Sequence, residues 1–199
     1  MIRSELKKNA KNQLKDNWLL AIGVLIVCQL ISYIPNILSI VSENLVFIGV
    51  VIPIIILAIT GPLSIGQCKF FINLANKSNP KFYDLWYGFN NILKAIGVAL
   101  LVGIIVLLGS ILFVIPGVIF AYRYSQVYYV MAENPDMPVL DVLKESSKIM
   151  KGRKLDLFVL QLSFIGWMIL TGITAGIAGL YVFPYYNVTL TNFYLGIKN

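Results

Sequence analysis

The chain has 199 residues, of which 58% are hydrophobic and 13% charged, and its mean hydropathy is +0.81. Soluble domains run at roughly 45–50% apolar and about 25% charged, so a water-soluble fold of this composition would lack the polar surface to cover its core. The net charge is +7, from 16 basic and 9 acidic residues, but the basic residues stand in short runs between apolar stretches; that pattern argues against nucleic-acid binding and for orientation in a membrane.

The first seventeen residues are polar. Ile2, Leu6, Ala10 and Leu14 recur every four residues and Lys8, Lys11 and Lys15 fall on another face, which predicts an amphipathic helix. This stretch is not read as a signal peptide, because the apolar run that follows is too long and has no small-x-small cleavage site. A spanning helix needs about 20 mainly apolar residues. Residues 18–39 supply the first, broken only by Gln29, Ser32 and Pro35; residues 45–71 supply the second, with Pro53 and Gly61-Pro62 inside it. Between them Glu43 reads as a wet turn residue. Phe82, Leu85, Trp86, Phe89 and Leu93 form a second amphipathic stripe, at i, i+3, i+4, i+7 and i+11. The third span is predicted at 92–115, with Pro116-Gly117 as its turn. The fourth, at 118–132, is short and rich in tyrosine. Pro135 and Pro138 then mark the start of a third amphipathic helix, in which Val139, Val142, Leu143 and Met150 oppose Asp141, Lys144, Glu145 and Lys148. The fifth and sixth spans are predicted at 155–176 and 180–197, with Pro184 near the start of the sixth.

Lysine and arginine alternate strictly between connectors. The N-terminal segment carries Arg3, Lys7, Lys8, Lys11 and Lys15. The stretch between spans two and three carries Lys69, Lys77, Lys81 and Lys94, and that between four and five carries Lys144, Lys148, Lys151, Arg153 and Lys154. The connectors near Glu43, Pro116 and Gly179 carry none. This predicts a multi-pass protein of the cell membrane with an even number of spans and both termini cytoplasmic. The fold class is therefore all-α: one integral membrane domain over 1–199, of about six transmembrane helices arranged as three hairpins with amphipathic cytoplasmic helices. Spans four and six also fit re-entrant or interfacial pieces, which would leave four or five crossings. The order of amphipathic helix, span, charge-poor bend and span repeats over 1–75, 76–133 and 134–199, an internal triplication of hairpins. The amphipathic helices either lie in the headgroup region with the apolar face down, against an anionic inner leaflet, or pack on the bundle as helical extensions.

An ionisable residue inside a span costs about 2.5–3.5 kcal/mol and so invites a functional reading. Arg123 is the clear case. With Tyr124 and Tyr128 it forms a candidate lipid-phosphate or anion contact. The competing reading, which the sequence favours, has Arg123 snorkelling to the outer interface from six residues past Gly117, with the tyrosines as an aromatic belt. Asn187, Thr191 and Tyr194 share one face of the sixth span, as a candidate polar path or as hydrogen bonds between helices; the second outcome is the commoner. Gly172-x-x-x-Gly176, followed by Gly179, is a small-residue stripe that would permit a close helix approach. Asp156 is read as a surface charge pair with the basic residues before it. Cys28 and Cys68 read as inert thiols. With no histidine, nucleophile elbow, phosphate loop or facing carboxylates, the chain is expected to be non-enzymatic and to hold no metal or cofactor.

Certain short pieces, taken in order, resemble a known family. They are Glu5-Leu6-Lys7 with Asn17-Trp18, Gly61-Pro62 with Gly66, Ile115-Pro116-Gly117, Tyr124-Ser125 and Glu133-Asn134-Pro135. Ser147-x-x-Met150-Lys151-Gly152 then leads into Leu162-Ser163-Phe164-Ile165-Gly166-Trp167, and Pro184-Tyr185 and Phe193-Tyr194 close the series. Over nearly the full length the chain resembles the bacterial integral membrane proteins grouped as domain of unknown function 975. The resemblance implies a multi-span protein of the cell membrane and no assigned activity. The expected function is a non-catalytic one exercised through membrane lipids or a membrane-protein partner; the alternative is a small-solute transporter or channel.

Overall fold

The computed structural model describes residues 3–41, 44 and 47–198. Ile2 of the first stripe and the Glu43 turn lie outside the described residues. Those described form helices joined by short connectors, with no strand among them: α1 (Arg3–Leu14), α2 (Trp18–Val41), a π-helical turn (Phe47–Val51) running into α3 (Ile52–Ala75), and a 3-10 helix (Phe82–Asn91) running into α4 (Ile92–Leu112). There follow α5 (Val114–Arg123), α6 (Val127–Glu133), α7 (Val139–Ile149), α8 (Lys154–Leu162), α9 (Ile165–Ile173) and α10 (Gly179–Ile197).

Four stretches are long and apolar enough to cross a membrane: Trp18–Leu38, Ile48–Ala75, Phe82–Ile111 and Lys154–Ile173. Only 17–28% of the residues in their most apolar windows are buried inside the protein. In water so much uncovered apolar surface would be a severe liability; in hydrocarbon it is the ordinary outer face of a span.

The helix α3 is the hub, packing on α2, the 3-10 helix, α4, α6 and α10. Glycine makes its closest approach possible. A Cβ on Gly66 would stand 1.9 Å from the Leu85 carbonyl oxygen, and one on Gly88 2.0 Å from that of Pro62. The 3-10 helix thus lies backbone to backbone on α3. The α4–α5 pair is tight for the same reason, with Gly117 set against Ser110.

Several expectations change. The turn between spans three and four is at Phe113, whose φ and ψ of −161° and 148° are extended; Pro116 and Gly117 lie in the first turn of α5. Proline is tolerated there because the N–H it lacks would have no partner in the helix. Span four is two pieces, α5 and α6, bent at 124–126, and span five is α8 and α9, bent at Ser163-Phe164. Of the Gly172 stripe only Gly179 makes a close approach, a Cβ there standing 3.1 Å from Thr171 Cγ2 of α9; nothing lies within 4 Å of a Cβ on Gly172 or Gly176, and Ala175 and Gly176, at φ +49° and +92°, end the helix. There the Gly176 N–H donates to the Thr171 carbonyl (2.8 Å) and the Ala175 N–H to that of Gly172 (3.2 Å), a Schellman termination.

The first and third amphipathic stripes rest on protein, whereas Phe82, Trp86 and Leu93 of the second are exposed. Leu6, Ala10 and Leu14 are buried on the inner side of α1, and Val142, Leu143 and Met150 at α7. In the second stripe Leu85 is buried under α3, while Leu93 is 82% exposed. The packed-extension reading describes the apolar faces of the first and third better than the face-down reading.

Candidate functional site

The site begins with the bend after α5. The Ser146 hydroxyl of α7 donates to the Arg123 carbonyl (3.1 Å), and Arg123 Nε donates to Ser147 Oγ (2.6 Å). Two adjacent serines therefore hold the last residue of α5 onto α7. The guanidinium also lies 5.7 Å from the Tyr124 ring centroid, within cation–π range. Both terminal nitrogens of Arg123 lack an acceptor among the described residues. They face a groove of about 720 Å³ that Arg123 shares with Lys144, Lys148, Lys151 and Lys154. Ile105, Tyr124, Leu140 and Leu143 supply its apolar wall.

The five cations are not equivalent. Lys144 is paired with Asp141 at 2.9 Å and Lys148 with Glu145 at 3.5 Å, each one helical turn away. Arg123, Lys151 and Lys154 have no carboxylate partner among the described residues. The adjacent Arg153–Asp156 contact (3.5 Å) matches the surface pair expected of Asp156. Three positive groups without a carboxylate partner among the described residues thus stand beside an apolar wall.

Arg123 therefore stands against the basic segment that follows α6 rather than beside a charge-poor connector. The tyrosines form no belt. Tyr122 donates to Gln161 Oε1 (2.7 Å), while Tyr128 and Tyr129 belong to the core around α3 and α6. Of the three predicted contact residues, Arg123 and Tyr124 line the groove and Tyr128 does not.

The face of α10 carrying Asn187, Thr191 and Tyr194 is a ladder of hydrogen bonds. Gln67 Nε2 donates to Asn187 Oδ1 (3.3 Å), and the Thr191 hydroxyl lies 2.9 Å from the Asn187 carbonyl and 3.3 Å from the Tyr129 hydroxyl. The Tyr129 and Tyr194 rings stack at 4.9 Å. Tyr194 then donates to Glu133 Oε2 (2.6 Å), whose other oxygen accepts from Lys198 (2.6 Å). These residues bind helices together, as the commoner reading had it. Glu133 is the member that sequence reasoning missed; the signal available was Lys198, one turn beyond Tyr194 on α10.

A second cavity, of about 360 Å³, lies between α2, α3 and α10 at the upper end of this ladder. Gln29, Gln67 and Asn187 line it, among apolar residues such as Ile22, Leu25 and Phe183. Both Arg123 and Asn187 are thus reached by open volume, whereas Thr191 is fully buried.

The chain matches the family described as "Protein of unknown function (DUF975)" over residues 1–122 and 111–199. The chain belongs to this family. Membership covers the whole of the fold described above and brings no assigned chemistry with it. No curated protein and no solved structure matches the chain.

One contact involves the first amphipathic helix. Lys7 Nζ donates to the Ser163 carbonyl (2.9 Å) and stands 4.2 Å over the Phe164 ring. It occupies the C-terminal end of α8, where the helix dipole favours a cation. Partial burial, and then the neighbouring charges of Arg3 and Lys11, lower its pKa from the ordinary lysine value.

Proposed function

We propose that this is a non-catalytic multi-pass membrane protein that holds anionic phospholipid headgroups in the α5–α7–α8 groove on the cytoplasmic side. The observation that carries the reading is the trio Arg123, Lys151 and Lys154, uncompensated beside the apolar wall of Ile105, Leu140 and Leu143. A phosphate on acyl chains satisfies both halves of such a site; a free anion satisfies only one.

In this reading the four apolar helices cross, and α5–α6 and α10 complete six embedded segments that depend on protein neighbours. Both termini and the three basic connectors face the cytoplasm. The helix α1 runs back along α10, from Leu6 beside Asn192 to Lys11 over Tyr185. Carrying Lys7, Lys8 and Lys11 through hydrocarbon would cost about 2.5–3.5 kcal/mol each. The stretch of α10 from Tyr185 onward therefore sits at the cytoplasmic boundary beside α1.

The test is lipid retention by the purified protein, measured by native mass spectrometry after equilibration with phosphatidylglycerol or phosphatidylcholine, with inorganic phosphate as a third arm. Preferential retention of phosphatidylglycerol, lost in R123Q/K151Q/K154Q, supports the reading. Equal retention of both lipids overturns it. Binding of phosphate as tight as that of the lipid would make the groove a site for free anions.

A second reading, a small-solute transporter or channel, is favoured by the cavity that meets the α10 ladder at Asn187. It expects a cysteine placed at Thr191 to react with water-soluble thiol reagents during turnover. Complete protection under all conditions counts against it.

A further inference from the structure

We infer that the cavity between α2, α3 and α10 binds an uncharged amphiphile whose head carries both a hydrogen-bond donor and an acceptor, as a primary amide does, and whose body is apolar. The site is separate from the basic groove and shares no residue with it.

Three side-chain amides from three helices converge on this cavity: Gln29 of α2, Gln67 of α3 and Asn187 of α10. Two of them are partly engaged. Gln67 Nε2 donates to Asn187 Oδ1, and Asn187 Nδ2 donates to the Phe183 carbonyl at 2.9 Å. That leaves the Gln67 carbonyl oxygen as an acceptor. Gln29 differs: it is an exposed residue midway along the 24-residue α2, and its side chain has no protein partner among the described residues. At a rise of about 1.5 Å per residue it is some 16 Å from either end of the helix, near the depth of the middle of a hydrocarbon layer about 30 Å thick. An amide with both its functions unanswered at that depth is costly. The neighbouring polar groups of the same span are satisfied locally: the Ser32 hydroxyl donates to the Cys28 carbonyl at 2.8 Å.

The remaining lining chooses the rest of the ligand. No Lys, Arg, Asp or Glu lines the cavity, so a charged head would be desolvated without a counter-ion. A plain hydrocarbon would fill the apolar part and leave the amides unanswered. A lipid ester offers acceptors only and cannot donate to the Gln67 oxygen. A head that both donates and accepts answers Gln29 and Gln67 together, while Ile22, Leu25 and Phe183 take the body. A volume of about 360 Å³ falls in the range of small-molecule sites, roughly 300–1,000 Å³.

The test uses the full chain in zwitterionic nanodiscs, with empty nanodiscs as the blank, and four probes of equal tail: decanamide, decanoate, decyltrimethylammonium and decane. Titration calorimetry reads the affinities. Decanamide should bind at least about tenfold more tightly than the other three. Gln29→Leu should remove about tenfold of that affinity. It breaks no protein hydrogen bond, so the fold is left intact and the variant remains informative even if Gln67→Leu does not fold. Ile22→Trp, which fills the cavity, should abolish decanamide binding. Four probes binding alike, or unchanged decanamide affinity in Gln29→Leu, would overturn the inference. Either result leaves lipid retention in the basic groove unaffected.

Discussion

The packed interior around α3 and α10 and the groove beside α7 use polar groups in opposite ways. In the interior the polar side chains of the α10 ladder answer one another: Gln67 meets Asn187, Thr191 meets Tyr129, and Tyr194 meets Glu133. In the groove five side chains are cationic, and three of them have no carboxylate partner among the described residues. The interior therefore uses its hydrogen bonds to specify one packing, while the groove leaves charge uncompensated, as the proposed lipid site requires. Substitutions in the first region should change stability, and those in the second should change binding with the fold intact.

The largest effect is expected at the α3 crossing. Gly66→Val would drive side-chain atoms into the Leu85 backbone, which sits on a rigid neighbour. Loss of about 3 kcal/mol, the upper end of overpacking costs, should appear as a large drop in thermal midpoint in detergent; a near-normal midpoint would mean the crossing is not tight. R123Q/K151Q/K154Q comes next, on the other side of the comparison. At about 1 kcal/mol per cation near an anionic surface it should weaken phosphatidylglycerol retention about 100-fold, while the midpoint falls by no more than loss of the Arg123–Ser147 hydrogen bond accounts for. If the midpoint fell as far as the binding did, the two regions would not be functionally distinct. Tyr194→Phe removes a hydrogen bond to a carboxylate and should cost about 2 kcal/mol, with lipid retention unchanged. The smallest effect is expected at Gln126, whose Oε1 is buried with no partner, an exception to the satisfied interior. Gln126→Met should be neutral or stabilising by up to about 1 kcal/mol. A loss of 2 kcal/mol or more in that variant would show that the oxygen has a role the packing does not reveal.

Much of this division could be read from residue order. The burial of Leu6, Ala10 and Leu14 follows from their four-residue spacing, and that of Val142 and Leu143 from the α7 stripe, since helical periodicity reports which face is apolar. Periodicity does not report what covers the face, and for these helices it is protein. The bends at 124–126 and 163–164 were not legible because neither has glycine or proline at the break. They are stabilised from a distance in sequence, by Ser146 on the Arg123 carbonyl and by Lys7 on that of Ser163. For that reason the contact of Arg123 with α7 was not foreseen: counting from Gly117 assumes one continuous helix. The candidate path on α10 was found as a face, but its acid came from α6, which no spacing within α10 could show. The glycine signal was misleading in the same way. Gly172 and Gly176 have the spacing and no neighbour, while Gly66 and Gly88 have the neighbour and no motif.

The burial of α10 bears on how the protein is made. At 19 residues the helix is long enough to cross, yet it is not among the four stretches that are also apolar enough. Its real solvent is α1, α2 and α3, all of which leave the ribosome before it does. Biogenesis then has a built-in order: the early helices form a socket, and the later one is stabilised by docking into it rather than by partitioning into lipid on its own. A lesion in the socket, at Gln13 or Gln67 for example, would surface as a C-terminal segment left behind by the insertion machinery.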